Sequence, residues 1–563
     1  MSDHPLEDEL LEAVRGARPR RSSGESLSPD GAEAQAVLER VLSARRARQR
    51  PRSFARRALG GVPGAAAIGA VLIVVAVAVV SLHGRAPSRK AGLVGHAVRG
   101  EIVDRDGQAL AEPVPEGIGH PRRVGYPEGG LLAQVLGTMS SQTGQSGLEA
   151  YYNAELSSGD TLKTSLDLKL QAAGQQALQR AIDDNRPADA GAFVALDPDN
   201  GQVYAMGSLP TYDPTLSSRA GTNSLINRAT EGAQAVGSAF APITALAALE
   251  SGAWGVGDTY DDTGQFCIDG ECRRNYGGAA HGVLDLVNAI RVSDPVFFDN
   301  LGALTNSAEP QGGAIQRWAR ALGIGGATGI DLPDAVSGTL PSLAWQAERN
   351  RLEAECENAT GPFAGKSRHP AAQGGCGIAV VPEQGWSVGD NINLAVGQGD
   401  VQVSPVQLAV AYAAIANGGT VVRPHLGMDI EQPGGAAVQT IDPAPVRDLN
   451  VNSLYLDAIR EGLRAASSQP GGTSADVFGD FPEQVYGETG TAQYVSSAGR
   501  AQDDAWYAGF VPASATSKPI VVVVTVSRGG FGDHAAAPVA RQILSQWFFG
   551  RPGPWVAGKV HTL

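Results

Sequence analysis

The residue whose position best suits covalent chemistry is Ser238. An apolar run, Ala239–Glu250, follows it and is closed by Gly252, so this stretch is predicted to be a helix that begins beside Ser238. Backbone N–H groups at such a helix start can form an oxyanion hole, which suits acyl transfer through a serine. A serine hydroxyl is a poor nucleophile and also needs a nearby base. The alternative is that Ser238 only caps the helix, which serine does well.

The cysteines and histidines do not indicate a metal site. The nine histidines show no HExxH pattern, His281 is predicted to be a surface or loop residue, and the four cysteines lack zinc-site spacing. Cys267 and Cys272 flank an Asp-Gly dipeptide that favours a two-residue hairpin turn, so they would face each other across two strands. We predict a Cys267–Cys272 disulfide and, by elimination, a Cys356–Cys376 disulfide, in an oxidising compartment. The alternative is four free buried thiols.

The composition of the 563-residue chain excludes several classes of protein. The length predicts three or four domains, and 43% apolar residues are enough for a large core. Glycine and proline are frequent but follow no triplet period, which excludes collagen. The net charge is −14, whereas a general nucleic-acid binder would be basic, so no nucleic-acid partner is expected. We also expect no cofactor.

The N-terminal part of the chain is predicted to anchor it in a membrane. Residues 1–57 carry a net charge of +3, with seven arginines between Arg45 and Arg57, and residues 58–82 carry no charge at all. A span of that length can cross a bilayer as a helix, and the arginines place the tail in the cytoplasm. A cleaved signal peptide usually has a much shorter charged region before it, and a buried core helix is the other alternative. We predict a single-pass protein of the cell membrane with an extracytoplasmic C-terminal domain.

Beyond the anchor, the pattern of strands and helices is that of an α/β (α+β) protein. Leu168–Ile182 and Gln407–Ala416 are predicted helices, and Phe193–Ala205 is a predicted hairpin around an Asp-Asn-Gly turn. The β-branched run Ile520–Val526 is typical of a buried strand. Strands followed by helices and further strands favour an antiparallel or mixed sheet covered by helices.

Several segments, taken in order, resemble the class B penicillin-binding proteins, which are membrane-anchored transpeptidases that crosslink peptidoglycan. The segments are RGEIVDRDGQALA, SGLEAYYNAEL, TSLDLKLQAAGQQAL, LDPDNGQVYAMGSLPTYDP, NRA and LAVGQGDVQVSPVQLAVAYAAIANGG. The resemblance covers about residues 99–548. It implies a penicillin-binding, serine β-lactamase-like transpeptidase fold, with a central antiparallel sheet flanked by helices and a small membrane-proximal pedestal.

The resemblance also divides the chain. The predicted parts are a disordered cytoplasmic tail at 1–57, a transmembrane helix at 58–82, a linker at 83–98, a short pedestal at 99–160, a transpeptidase-like domain at 161–548 and a C-terminal tail at 549–563.

The first catalytic motif of this family is Ser-x-x-Lys at a helix start, where the lysine one turn later takes the serine proton. The matching stretch, VGSAFAPITALAALESG, puts Ser238 in the nucleophile position and Ala241 in the lysine position. A methyl group accepts no proton. The loss of a positioned base costs about 10²–10⁴ in rate.

The second motif, Ser-x-Asn, passes a proton and orients the substrate amide. The matching region, AIRVSDPVFFDNLG, allows two registers. In one register Val292, Ser293 and Asp294 fill the three positions, so that valine replaces serine. In the other register the motif starts at Ser293 and ends at Pro295, so that proline replaces asparagine. The motif is degenerate in either register.

The third motif is Lys-Thr-Gly on an edge strand, where the lysine helps to hold the terminal carboxylate of the substrate. In the matching stretch, VYGETGTAQYV, Glu488 replaces the lysine, while Thr489, Gly490 and Thr491 remain. Two unit charges about 4 Å apart interact by about 4 kcal/mol at an effective dielectric of 20. The change is therefore expected to turn an attraction into a repulsion of similar size, unless Glu488 is protonated.

Three changes in one pocket, with the scaffold segments intact, predict a catalytically inactive transpeptidase homologue in peptidoglycan synthesis, acting as a scaffold or regulator. The alternative is an active serine D,D-transpeptidase in which Glu488 or Asp294 replaces the base for Ser238. A β-lactam sensor would need the missing lysine as well. A stem-peptide binding module would use Glu488 to hold a cationic group. As structural alternatives, Glu488 pairs with an arginine and Asp294 only opens a turn before Pro295.

The resemblance implies partners in the cell envelope. These are peptidoglycan or its stem peptides, the membrane itself through one helix, and cell-wall synthesis proteins such as a membrane glycan polymerase.

Overall fold

The computed structural model describes residues 99–114, 123–139, 146–307, 309–357, 385–495, 501–514 and 518–559. The predicted tail, transmembrane helix and linker, together with Cys376 and the side chain of Cys356, lie outside the described residues. None of the helices in the described ranges is both long enough and apolar enough to cross a membrane.

Seventeen strands lie in the described part of the chain. They are β1 (Ile102–Val103), β2 (Ala109–Val114), β3 (Arg123–Gly125), β4 (Thr161–Thr164), β5 (Ala190–Leu196), β6 (Val203–Leu209), β7 (Thr259–Asp262), β8 (Gln265–Ile268), β9 (Glu271–Arg274), β10 (Gly282–Asp285), β11 (Thr420–Val421), β12 (Gly427–Glu431), β13 (Ala437–Thr440), β14 (Arg447–Asp448), β15 (Tyr486–Val495), β16 (Ala501–Val511) and β17 (Ile520–Ser527).

The α-helices of the same residues fall between and after these strands. They are α1 (Ala133–Leu136), α2 (Gly147–Tyr151), α3 (Asn153–Ser158), α4 (Leu168–Asp184), α5 (Thr222–Leu225), α6 (Ala241–Glu250), α7 (Leu286–Val292), α8 (Pro295–Leu304), α9 (Ala314–Ala321), α10 (Leu343–Glu357), α11 (Val388–Ala395), α12 (Pro405–Asn417), α13 (Ser453–Ser468), α14 (Ala475–Phe478) and α15 (Gly532–Phe549). Short 3-10 turns include Gly237–Phe240, directly before α6.

Five antiparallel strands in the order β15-β16-β17-β5-β6 form the central sheet. The β-branched run predicted as a buried strand is β17, which lies in the middle of the sheet. Its side chains alternate between faces, so that Val522 and Val524 pack with α4 and α15, whereas Val521 and Val523 pack on the side of α6 and α12. The predicted antiparallel sheet flanked by helices is confirmed.

A second sheet of six strands, ordered β13-β12-β4-β1-β2-β3, forms the pedestal. Strand β4 pairs in parallel with β1 on one side and antiparallel with β12 on the other. The pedestal sheet therefore crosses the predicted boundary at residues 160 and 161 and takes two strands from the chain segment after α12. The two modules share a sheet.

A buried ion pair holds the first two family-like segments together. Arg99 contacts the Glu149 carboxylate through Nε at 3.0 Å and through a second guanidinium nitrogen, which also reaches the Glu149 backbone carbonyl. Asn153 and Ser157 accept from the remaining nitrogen at 3.1 and 3.2 Å. Both charged residues are buried. Burial raises the pKa of Glu149, and Arg99 opposes that shift.

The replacement Arg99→Ala is expected to lower the free energy of unfolding by about 3–5 kcal/mol, because it leaves the Glu149 carboxylate buried without its partner. Urea unfolding of the purified protein measures this. The matched control is Asp184→Asn, which removes an exposed pair with Arg180 and should cost less than about 1 kcal/mol. Equal losses in the two variants would show that the buried pair does not hold the pedestal.

Candidate functional site

Ser238 lies in the 3-10 turn Gly237–Phe240, and α6 begins three residues after it, at Ala241. The N-cap interpretation of Ser238 is wrong, because its side chain caps neither the turn nor the helix. Its Oγ instead donates a hydrogen bond to the backbone carbonyl of Thr489 on β15, at 2.9 Å. Ser238 and the methyl group of Ala241 line the same cleft.

The turn that carries Ser238 and strand β15 touch backbone to backbone. Gly237 has a φ of +59°, and a Cβ atom there would lie 2.4 Å from the carbonyl oxygen of Thr491. A Cβ atom at Gly490 would lie 2.3 Å from the carbonyl oxygen of Val236. Both positions therefore require glycine, and the absence of side chains lets the serine reach β15.

Ser293 occupies the cleft, and Val292 does not. Helix α7 ends at Val292, which is buried in the core, and Ser293 follows with a φ of +52°. Its hydroxyl is buried without a hydrogen-bond partner among the described residues. Ser293 and Pro295 line the cleft wall. This placement favours the register that runs from Ser293 to Pro295, with proline in place of asparagine.

Glu488 is wholly buried in β15, and it does not line the cleft. Neither carboxyl oxygen has a hydrogen-bond partner among the described residues, so the ion pair with an arginine is wrong. Burial raises the pKa of Glu488 well above its ordinary value, and the nearby Ser293 hydroxyl opposes this only in part. The folded protein thus favours the neutral acid. The expected repulsion of a substrate carboxylate is not what the cleft presents.

Asp294 is the N-cap of α8, because its Oδ1 accepts from the backbone N–H of Phe297 at 2.8 Å. Its Oδ2 lies 2.8 Å from Nδ1 of His281, which is also 3.2 Å from Oδ2 of Asp262. His281 lies in the loop directly before β10, as expected, but its side chain is only partly exposed and contacts two buried carboxylates. The sequence holds no signal for this contact, since the three residues come from separate elements.

The Asp262, His281 and Asp294 side chains form the group of described residues that could hold a metal ion. Burial raises the pKa of Asp294. Burial also acts to raise the pKa of Asp262, but backbone N–H groups of His281 and Gly264 outweigh it and leave that pKa lowered. Hydrogen bonds among these side chains and to neighbouring backbone N–H groups fix the segment behind Ser293.

The cleft beside Ser238 has a volume of about 360 Å³. The side chains that line it are Ser238, Ala241, Arg273, Arg274, Tyr276, Ser293, Pro295, Phe298, Asp299, Val396, Gln398, Thr491 and Gln493. Sequence reasoning missed the two arginines and Asp299, which no motif marks. Asp299 pairs with Arg273 at 2.8 Å, and burial raises its pKa to about 7 in spite of that arginine.

The side chain of Gln398 makes hydrogen bonds to the outer edge of β15 beside the cleft. Its Nε2 donates to the Thr491 carbonyl at 3.0 Å, and its Oε1 accepts from the Gln493 N–H at 3.2 Å. Together with the bond from Ser238 to Thr489, these contacts occupy three backbone groups of the edge strand, the carbonyls of Thr489 and Thr491 and the N–H of Gln493.

The described residues supply a nucleophile position but no base that is hydrogen-bonded to it. Among the described residues, Ser238 Oγ has one hydrogen-bond partner, a backbone carbonyl, which cannot take a proton. Glu488 is buried outside the cleft and Asp294 is engaged as a helix cap, so neither candidate base contacts the serine. Thr491, the two glutamines and the arginines offer a ligand hydrogen bonds.

The disulfide hairpin forms one border of this cleft. A disulfide joins Cys267 on β8 to Cys272 on β9, and the two residues pair directly across the strands with a Cα–Cα distance of 4.1 Å. The second predicted disulfide, Cys356–Cys376, involves residues outside those described and stays a prediction.

Comparison with known proteins identifies similar chains. The penicillin binding protein transpeptidase domain matches residues 191–545, and the penicillin binding protein A dimerisation domain matches residues 99–179. The chain is 25% identical to the peptidoglycan D,D-transpeptidase MrdA of Salmonella typhimurium over 506 residues, covering 75% of this chain and 72% of that protein. It is 27% identical to the peptidoglycan D,D-transpeptidase PbpA of Mycolicibacterium smegmatis, covering 79% of this chain and 88% of that protein. The crystal structure of Pseudomonas aeruginosa PBP2 in complex with WCK 5153 superposes with a TM-score of 0.65 at 26% identity, covering 81% of this chain and 98% of that one.

The close approach of the two backbones predicts a large cost for a methyl group at Gly237. The control Gly252→Ala also introduces a side chain at positive φ, but nothing lies within 4 Å of it, so it should cost about 1–2 kcal/mol. Gly237→Ala should cost about 1–3 kcal/mol more, because the new methyl group also meets the Thr491 carbonyl. Urea unfolding of both variants tests this, and equal losses would contradict the tight contact.

Burial of Glu488 predicts a stability that falls as the pH rises. Because its folded-state pKa is raised, folding binds a proton above the unfolded pKa of about 4.5, at a cost of about 1.4 kcal/mol per pH unit until the folded pKa is reached. The variant Glu488→Gln should lose this dependence. Unfolding free energies of both proteins at pH 4, 5, 6 and 7 should diverge in favour of the glutamine variant. Parallel pH profiles would contradict a neutral buried acid.

Proposed function

The chain belongs to the penicillin-binding protein transpeptidase family, and on that premise we propose that it is a non-catalytic member that serves peptidoglycan synthesis as a scaffold or regulator. The observation that supports this most directly is at Ser238. Its hydroxyl donates to the Thr489 carbonyl, and Ala241 presents a methyl group where the family has its lysine.

Covalent chemistry at Ser238 depends on an acceptor for the serine proton. Attack by Ser238 on an acyl group requires that its proton leave, and a positioned base contributes about 10²–10⁴ in rate. Ser293 lines the cleft, but its hydroxyl is buried, and a hydroxyl can only relay a proton that another group accepts. The Glu488 carboxyl favours its protonated form and lies outside the cleft. Among the described residues, no group that could accept the proton is hydrogen-bonded to Ser238.

The scaffold role is supported by what the chain retains. The six-stranded pedestal sheet and the five-stranded central sheet are both present, and the buried pair Arg99–Glu149 holds the pedestal helices. We include in the proposal the single membrane span at 58–82, a cytoplasmic tail at 1–57 and an extracytoplasmic C-terminal domain. The proposed partners are peptidoglycan or its stem peptides and cell-wall synthesis proteins such as a membrane glycan polymerase. The domain limits predicted above are part of the same proposal.

A second candidate function is an active serine D,D-transpeptidase with a replacement base. One observation favours it. Asp299 is the acidic side chain that lines the cleft, and its pKa of about 7 suits a general base near neutral pH. Its pairing with Arg273 counts against this role, because the ion pair already engages the carboxylate and holds it in place.

Incubation of the purified full chain with penicillin tests the proposal, with intact mass as the measurement. We expect no covalent adduct, because acylation of Ser238 needs a base. A penicillin-binding protein known to acylate is the positive control, and a cooperative thermal unfolding transition shows that the chain is folded. A penicillin adduct that is lost in Ser238→Ala would overturn the non-catalytic proposal.

If an adduct forms, Asp299→Asn identifies the base. Loss of the adduct in Asp299→Asn, with retention in Glu488→Gln, would support the second candidate. The reverse result would favour Glu488.

A further inference from the structure

A second pocket borders the C-terminal half of α15, outside the three family motifs. We call it the C-terminal pocket. It is lined by residues 480–482 of the loop after α14, by Arg541, Ser545 and Phe549 of α15, and by residues 551–554. Its volume is about 860 Å³, which is within the size range of small-ligand sites. No residue that lines it also lines the cleft beside Ser238.

Arg541 is a buried cation in the wall of this pocket, with only 4% of the residue exposed. Its Nη1 donates to the backbone carbonyl of Val477 and, at 2.7 Å, to Oδ1 of Asp480. Its Nε is buried and, like Nη2, makes no hydrogen bond to any described residue. The edge of the guanidinium that the protein leaves unused therefore carries two donors side by side.

A buried donor without a partner indicates that a ligand or water completes the site. Polar groups enclosed by protein are nearly always hydrogen-bonded, and leaving one unpaired destabilises the fold. No described group meets Nε of Arg541, whereas the same side chain borders an open pocket. The free edge of a guanidinium fits two oxygens of a carboxylate or phosphate group with two parallel hydrogen bonds.

The charges around the C-terminal pocket favour an anion. The charged residues that line it are Arg541, Arg551 and Asp480. The Asp480 carboxylate is already paired with Nη1 of Arg541, and its side chain is 74% exposed. Arg551 is exposed and has no ion-pair partner among the described residues. The pocket thus carries a net positive charge in a chain whose net charge is −14.

The remaining walls of the pocket are aromatic and proline-rich. The ring centre of Phe481 lies 5.4 Å from the guanidinium carbon of Arg541 and 5.7 Å from the ring centre of Phe549, which is 44% exposed. The side chain of Gln542 donates to the Pro554 carbonyl at 3.0 Å and so holds the proline segment against α15. A flat apolar group can stack on these rings while its charged end reaches the guanidinium.

We infer that the C-terminal pocket binds a small organic anion, in which an aromatic or similarly flat apolar body carries one carboxylate or phosphate group. Arg541 binds the head group through Nε and Nη2, and Arg551 adds a second positive charge. Phe481 and Phe549 contact the apolar body. The inference does not depend on the proposed function, because it involves none of the residues that line the cleft.

The test uses the purified full chain and three probes that share one ring system, 2-naphthoate, 2-naphthyl phosphate and the uncharged 2-naphthamide. Dissociation constants are measured by titration calorimetry. At least one anion should bind about tenfold more tightly than the amide, as expected for charge-assisted hydrogen bonds to a buried guanidinium. The anion that binds more tightly identifies the head group.

Two arginine variants locate the anion. Arg541→Lys keeps the positive charge but removes the paired donors, so the preference for the anion should fall to about threefold or less. Arg551→Gln changes only an exposed side chain and should lower the preference about two- to threefold. The matched control is Arg219→Gln, which removes an exposed arginine that does not line the pocket and should keep the preference.

The variant Phe549→Ala locates the apolar body, since it should weaken the anion and the amide by a similar factor. A cooperative thermal unfolding transition is required of each variant, and Arg551→Gln decides the result if Arg541→Lys does not fold. Equal affinity for the anions and the amide, or no binding of either anion, would overturn the inference. It would also be overturned by a preference that both arginine variants leave unchanged, or that Arg219→Gln lowers equally.

Discussion

The contact between the turn Gly237–Phe240 and strand β15 is the constraint on which the rest of the site depends. The two backbones meet with no side chain between them, at Gly237 on one side and Gly490 on the other. Because of this contact the Ser238 hydroxyl reaches the Thr489 carbonyl, and α6 is held against the edge of the central sheet. The cleft exists as the gap that remains beside this contact, between β15, the start of α8 and the disulfide hairpin.

The ionisable groups around this contact lie in different environments. Glu488 is enclosed by protein and favours the neutral form, whereas Asp294 and Asp262 are held by hydrogen bonds behind the cleft wall. Among the described residues, only the hairpin and Asp299 bring charge to the cleft itself. The chain therefore keeps the transpeptidase fold, while the charges that face its cleft come from residues outside the three family motifs.

Much of the fold could be predicted from the sequence, but little of the charge distribution. Local pattern was sufficient for β17, whose β-branched run marks a buried strand, and for the hairpin turn between Cys267 and Cys272. It could not show which face of β15 Glu488 occupies, since an edge strand is flanked by different elements on its two faces. The contact of His281 with Asp294 and the pairing of β12 with β4 join distant parts of the chain, and no local rule reports them.

The bonds that Gln398 and Ser238 make to β15 have a consequence for association. An edge strand with free N–H and C=O groups invites another strand to pair with it, in aggregates as well as in complexes. Here the carbonyls of Thr489 and Thr491 and the N–H of Gln493 are already engaged by side chains of the same chain. An extended peptide can add to this sheet only by exchanging its own backbone bonds for these three. Nonspecific strand pairing at this edge is therefore disfavoured, because it must replace three existing hydrogen bonds. A peptide that also makes contacts within the cleft can offset that cost.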